Sequence, residues 1–450
     1  MQNQTFSIFL KYKFIKFQVE SHLKRNFYGI LFLLQLNQCL WYNSPKGCDR
    51  MTIKETFQTP ITAKCDVLVC GGGFAGISAA LAAARKGKQV ILLEKQYMLG
   101  GLGTAGLVTI YLPLCDGMGR QVSFGIAEEL FRLSISMGAE GRYPENWLDC
   151  TDPSKRSDQY KRFEVQYNPQ LFAILAEQLL LKEGVQILYG AYAVGVSKNE
   201  DKINAVILEG KSGRQAIAVS SVVDATGDCD ITHFAGAPTE NFKQGNVLAA
   251  WYYYLGQSGY HLNLLGFSDI PDDQKTSGKQ VPMLNDMRYS GLSTREISEM
   301  VIASHASTLN DICKRRQKDP SLVPTCIATI PQIRMTRRIC GEYTLHDTQM
   351  HTYFADSIGL VSDWRKRGPV YEVPFSTLYS KSVKNLITAG RCTSVTDSMW
   401  DIMRVIPCCA VTGEAAGIAA AMSDDFGSLD VAALQKELHT NGVVLHETDL

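Results

Sequence analysis

Apolar and polar positions alternate between two periods along most of the chain. Val67 to Val69 and Val90 to Leu93 are short, continuous apolar runs. Such runs fit strands buried on both faces of a parallel sheet. Between them Ile77, Ala80, Leu81 and Ala84 recur at helical spacing, in an alanine-rich stretch that Gly87 ends. Gly125 to Leu133 predicts a further helix. The stretch 168–184 predicts a strong one, with Asn168 as N-cap, Pro169 at the first helical position and Gly184 as terminator. From Val185 the pattern breaks into short strands with turns at 198–202 and 210–214. The last of these, Ser221 to Ala225, runs into Thr226-Gly227-Asp228. Between Pro238 and Pro369 the texture changes to aromatics, methionines and polar loops such as 268–282. Strand texture returns at Asn385 to Ala389. A turn at Gly390-Arg391, a polar loop and a helix of small residues from about Pro407 to Met422 follow, then one closing helix.

The first apolar run leads directly into Gly71, Gly73 and Gly76. In the spacing G-x-G-x-x-G the first glycine permits a tight turn. The second lets a pyrophosphate approach the backbone, and the third lets helix and strand pack closely. The second run ends in Glu94, where a ribose hydroxyl would be bonded. Strand, glycines, helix, second strand and acid together form the context that gives this motif meaning. Gly100, Gly101, Gly103 and Gly106 argue for backbone packed against a ligand.

Composition narrows the partners. The chain has 450 residues, with 45 Lys and Arg against 45 Asp and Glu. That length suffices for two or three domains. The balance gives no electrostatic pull toward nucleic acid or acidic lipid. Thirteen cysteines are scattered without C-x-x-C pairs or metal-type spacing, as expected in a reducing, cytoplasmic compartment. Residues 1–50 differ in composition and read as an extension outside the fold, with Met51 as an alternative start. The apolar run from Tyr28 to Tyr42 is short and broken by Gln35, Asn37 and Gln38; stable membrane insertion is not expected.

The segment 70–95, the pair Gly100-Gly101, the stretch 222–237 and the stretch 385–421 occur in an order that resembles the FAD-dependent oxidoreductase family of the glutathione-reductase-like flavoproteins. The succinate dehydrogenase and fumarate reductase flavoproteins are similar at a greater distance. The resemblance implies an α/β fold. A Rossmann-like FAD-binding domain, a parallel sheet with a β-meander, would carry an inserted α+β substrate or cap domain. Residues 51–237 and 370–445 would make the discontinuous FAD-binding domain, and 238–369 the cap. Gly71, Gly73 and Gly76 would hold the FAD pyrophosphate and Glu94 the adenosine ribose. Lys95, Gly100, Gly101 and Thr104 would line the cofactor beyond. Ala193 would bond the adenine through its backbone. Ala225, Thr226, Gly227 and Asp228 would form the second cofactor segment. Gly390 and Arg391 would approach the pyrophosphate and ribityl chain. The helix from Pro407 would aim its N-terminus at the isoalloxazine. The chain lacks the fumarate reductase pattern of catalytic Arg and His, and no histidine matches the covalent attachment position. The resemblance therefore implies non-covalent FAD and leaves the substrate open.

FAD supplies redox chemistry, so the protein must bind a substrate and stabilise charge. Arg334, Arg337 and Arg338 stand close together and could clamp a carboxylate. Arg404 precedes the last small-residue helix and is the stronger candidate, with Trp400 and Asp397 before it. His346, His351 and the pair Cys115-Asp116 are weaker ones. The expected function is hydride transfer between FAD and a small organic molecule, with a separate electron donor or acceptor. A single G-x-G-x-x-G motif indicates no dedicated nicotinamide domain. Two alternatives stay open. An NAD(P)-dependent dehydrogenase is disfavoured by the second cofactor segment. An RNA-modifying flavoprotein with a largely structural FAD is disfavoured by the neutral charge.

Overall fold

The computed structural model describes residues 53–112, 114–137, 165–266 and 283–450. The expectations for residues 1–50, the start at Met51 and the loop 268–282 lie outside these. The chain divides into two compact units, Met1–Gln58 and Thr59–Leu450. Within the first, residues 53–58 contain no helix or strand.

The second unit begins with β1 (Ile61–Cys70), α1 (Phe74–Arg85) and β2 (Val90–Glu94). Next come β3 (Ile110–Tyr111), α2 (Ile126–Ile135), β4 (Val165–Gln166), α3 (Pro169–Lys182) and β5 (Gln186–Tyr189). The antiparallel run β6 (Tyr192–Asn199), β7 (Lys202–Gly210) and β8 (Gly213–Asp224) follows, then α4 (Asp230–Phe234) and β9 (Thr239–Asn241). The middle of the chain holds β10 (Tyr252–Gly256), β11 (Gly259–Asn263), α5 (Thr294–Arg316), β12 (Val323–Ile327) and β13 (Arg337–Ile339). The chain ends with β14 (Ser357–Ser362), β15 (Val370–Pro374), β16 (Leu386–Thr388), α6 (Asp397–Met403), α7 (Ile406–Met422) and α8 (Val431–Thr440).

The main sheet has the order β5-β2-β1-β8-β7-β6, with β16 also pairing β8. β5, β2, β1, β8 and β16 run parallel. Long β8 serves two sheets' worth of neighbours. Its first half closes the meander with β7, and its last residues, Val222 to Asp224, lie between β1 and β16. This is the α/β arrangement expected, a parallel sheet with a β-meander.

The apolar runs fall where the pattern puts them. Val67, Leu68, Val69 and Leu92 are fully buried. α1 and α7 cross on one face of the sheet, backbone against backbone. A Cβ on Gly413 would lie 2.3 Å from the Ala75 carbonyl oxygen, and one on Gly417 2.2 Å from that of Ala79. Only glycine fits at those two points, which explains the small-residue composition of both helices. Asn168 caps α3 as expected, its Oδ1 accepting from the N–H groups of Gln170 and Leu171 at 3.0 Å each.

A second layer forms from the middle of the chain. The sheet β11-β10-β12 packs on α5 through Tyr252, Ile312 and Leu322. Its opposite face carries Tyr253, stacked on Tyr260 at 4.9 Å. Strands β14 and β15 instead join the main core, where Ile358, Val361, Tyr371 and Val373 pack with α7 residues. Among the described residues no single helix is long and apolar enough to cross a membrane; α6 and α7 pass that test only as a pair bent by 89°.

Candidate functional site

The glycines after β1 do two different jobs. A Cβ on Gly76 would sit 1.8 Å from the Gly71 carbonyl oxygen, and one on Gly71 2.4 Å from that of Ala225. These two let protein backbone approach protein backbone. Gly73 differs: a Cβ there would meet nothing within 4 Å. Its φ of −71° is ordinary for any residue. The space above Gly73, at the N-terminus of α1, is therefore open. Donors and dipole at that helix end favour an anion.

Two of the motif residues, Glu94 and Gly100, bond the turn at Gly72 directly. Glu94 is buried at the end of β2. Its carboxylate accepts from the Gly72 N–H at 2.8 Å and the Gln96 N–H at 2.7 Å. Gly100 N–H donates to Gly72 O at 2.8 Å, which lays 100–101 beside Gly73. Thr104 Oγ1 donates to the Leu99 carbonyl and fixes the following turn. Lys95 is exposed. Ala191 N–H donates to Glu94 O at 3.2 Å, so the chain leading to Ala193 in β6 starts beside the same acid.

The second segment meets the first through Ala225, whose N–H donates to Cys70 O at 2.9 Å. Asp224 is fully buried and saturated. Its Oδ1 accepts from Thr226 N and Oγ1, and its Oδ2 from Thr232 N and Oγ1. Arg391 covers Gly227, whose Cβ would fall 2.3 Å from the guanidinium. That guanidinium donates to the carbonyls of Ile333 at 3.1 Å and Arg334 at 2.9 Å, and pairs with Asp228 at 3.5 Å. Gly390 N–H donates to Thr412 Oγ1 on α7 at 2.9 Å. Asp228 also accepts from Thr336 Oγ1 at 2.9 Å. The turn at 389–392 thus joins the segment 225–228, α7 and the irregular chain leading into β13.

The candidates for chemistry separate in space. Arg334 is 5 % exposed. It stacks over Trp251 at 5.1 Å and donates to Gln332 Oε1 at 2.8 Å. Gln332 in turn donates to Gly106 O at 2.7 Å, beside the glycine-rich loop. Arg337 binds Asp230, and Arg338 binds Asp397 and Glu240. Trp400 is fully buried; its Nε1 donates to Arg391 O at 2.8 Å, and Arg338 covers its ring at 4.8 Å. Arg404, just ahead of α7, is buried against Asp401 and lies over Trp364. Pro407 stands in the first turn of α7. His351 pairs with Glu447 and Asp116 with Arg120.

Burial shapes the titration of this region. Asp230 is pushed up to about 6, first by burial and then by Asp228 and Asp224. Glu414 on α7 is pushed up to about 8 by burial, while the Ile126 N–H it accepts from at the start of α2 pulls the other way. Burial also raises Cys409 to about 12.

The sequence pattern did not single out Gln332 or Glu414. Nor did it bring together Asp224, Cys229 and Cys392, whose ligand atoms lie within 4.8 Å of one another. Their separation along the chain leaves no spacing to read.

A family model described as FAD dependent oxidoreductase matches residues 66–248 and 283–438. The chain belongs to that family. In this FAD-dependent oxidoreductase the Cα of Gly73 is open at the start of α1, and the Glu94 carboxylate is fixed beside it by the Gly72 N–H. A search of curated proteins finds no match. Among solved structures, a geranylgeranyl bacteriochlorophyll reductase-like protein from Thermoplasma acidophilum is 14 % identical, covering 84 % of this chain and 82 % of its own, at a TM-score of 0.43. The p-nitrophenol 4-monooxygenase PnpA from Pseudomonas putida is 10 % identical, covering 84 % of each chain, at 0.41. A 3-ketosteroid-delta4-(5alpha)-dehydrogenase from Rhodococcus jostii is 13 % identical, covering 81 % of this chain and 98 % of its own, at 0.39. At such scores the likeness bears on neither substrate nor reaction.

Proposed function

We propose that the chain exchanges hydride between non-covalently held FAD and a small organic substrate, in the cytoplasm. FAD supplies the redox chemistry when bound. The open cradle over Gly73 is the observation that carries the reading. Gly71, Gly73 and Gly76 would seat the pyrophosphate, Glu94 the ribose and Ala193 the adenine. Lys95, Gly100, Gly101, Thr104, Ala225 to Asp228, Gly390, Arg391 and Pro407 would complete the site.

Residues 238–369 would supply the substrate side as a cap. In this reading Arg334 orients an anionic group of the substrate. Its stack on Trp251 and its bond to Gln332 support a fixed guanidinium plane. Trp400 and Arg404 would position the 389–392 turn and the start of α7. The ten described cysteines are free thiols, which supports a reducing compartment. Electrons would pass to or from a separate small-molecule or protein partner.

The test is an anaerobic screen of the purified yellow protein against carboxylates, hydroxy acids, sugars and steroids, run in both directions with chemically reduced protein. Bleaching or recovery of the flavin bands by one class supports the reading. Flavin that exchanges electrons with none of them would contradict it and assign FAD a structural role.

A further inference from the structure

Cys229 and Cys392 meet where the second cofactor segment faces the 389–392 turn. Both are fully buried. The Cys229 N–H donates to Cys392 Sγ at 3.2 Å. Their sulfurs lie within 4.8 Å of each other and of an Asp224 carboxylate oxygen. Such a set resembles a metal triad, but the carboxylate is already saturated by Thr226 and Thr232. A cation would have to displace those donors. The two thiols remain as neighbours, with Cys392 Sγ also 4.0 Å from Asp224 Oδ1. Cys229 is also held at φ 57°, in the left-handed region, at the N-cap of α4. That conformation sets the backbone at the point where its N–H reaches Cys392 Sγ.

We propose that Cys229 and Cys392 form an oxidative modification site, converted by a small hydroperoxide into a reversible disulfide. With hydrogen peroxide the balance is two thiols and one peroxide to one disulfide and two waters. One sulfur, having lost its proton, attacks a peroxide oxygen and the O–O bond breaks; the departing hydroxide takes up that proton as water. The resulting sulfenic acid is attacked by the second sulfur. The S–S bond forms, the S–O bond breaks, and the oxygen leaves as the second water with the second thiol's proton. The sulfurs must close from within 4.8 Å to about 2 Å. Burial and the Asp224 charge hold the Cys229 thiol well above its ordinary value. The reaction is accordingly slow and needs sustained oxidant. The bond would tie together segments separated by 163 positions in the chain. It would also brace the contact of Arg391 with Asp228, and so retain FAD more firmly.

The experiment uses the full-length, FAD-loaded protein. It is held in dithiothreitol or treated with hydrogen peroxide, then denatured with alkylating reagent and mapped by mass spectrometry. The expected result is a linked peptide pair containing Cys229 and Cys392, reversed by dithiothreitol. The pair is lost in Cys229→Ser and Cys392→Ser but kept in Cys409→Ser. FAD release from the oxidised protein should slow by roughly fivefold. Recovery of both residues as alkylated thiols, separate sulfinic acids, or a bridge from Cys392 to Cys409 would overturn the proposal. So would an equivalent of zinc carried by the untreated protein and lost in Cys229→Ser.

Discussion

Arg391 donates to the carbonyl oxygen of Arg334 at 2.9 Å, across 57 positions of chain. The bond joins the turn 389–392 to the irregular segment that leads into β13. The same guanidinium reaches Ile333 O and Asp228. A planar fork can satisfy these partners at once, and an ammonium cannot. Arg391→Lys should therefore lower unfolding stability by about 1.5–3 kcal/mol and weaken FAD retention. Urea unfolding with flavin fluorescence as a second probe measures both. Wild-type values for each would remove Arg391 from this role.

The crossing of α1 and α7 makes a separate prediction. Gly417→Ala places a Cβ against the Ala79 carbonyl. Backbone on both sides leaves no flexible side chain to yield. The cost should be about 1–3 kcal/mol or more, seen as a lower urea midpoint. An unchanged midpoint would mean that the helices can separate freely.

Arg404 and Asp401 are 6 % and 0 % exposed in their side chains. Arg404→Ala would leave the Asp401 charge buried, with Arg365 at 3.5 Å as its remaining cation among the described residues. A loss of about 3–5 kcal/mol is expected. Adding Asp401→Asn should recover part of it. Flavin reduction measured on the double variant then reports what Arg404 contributes to turnover apart from folding.

Glu414 sets a pH dependence whose sign is fixed by its burial. Its pKa rises from 4.5 to about 8 on folding. Between those values the folded chain keeps a proton that the unfolded chain releases. Its contribution is whole below the unfolded value and is lost as pH rises toward 8, by an amount on the order of a few kcal/mol. Glu414→Gln retains an acceptor for the Ile126 N–H and cannot ionise. Urea midpoints at about pH 5 and about pH 8 should differ less in this variant than in the wild type. Equal differences would contradict the assignment.

The cofactor half of the fold was legible because its chemistry is local. Val67 to Gly76, Val90 to Glu94 and Asn168 to Gly184 each carry strand, turn or cap signals within one element. The small residues of α7 gave its packing before its partner was known. The substrate half was not legible in the same way. Arg334, Arg337 and Arg338 look equivalent in sequence, yet one stacks on Trp251 and two join carboxylates from distant segments. Glu414 reads as an ordinary helix residue, and only the fold places it over the N-terminus of α2. Cys229 and Cys392 become neighbours through tertiary structure alone.

We propose that the opening over Gly73 is filled by FAD rather than by protein. Gly73 and Gly76 separate the two possibilities within one turn. A Cβ at Gly73 meets no protein atom within 4 Å, whereas one at Gly76 lies 1.8 Å from backbone. The measurement is flavin content and melting temperature of apoprotein and FAD-loaded protein for Gly73→Ala. The expected result is an apoprotein that melts as the wild type does, with most of the bound FAD lost. A Gly73→Ala protein that purifies with full flavin would contradict it.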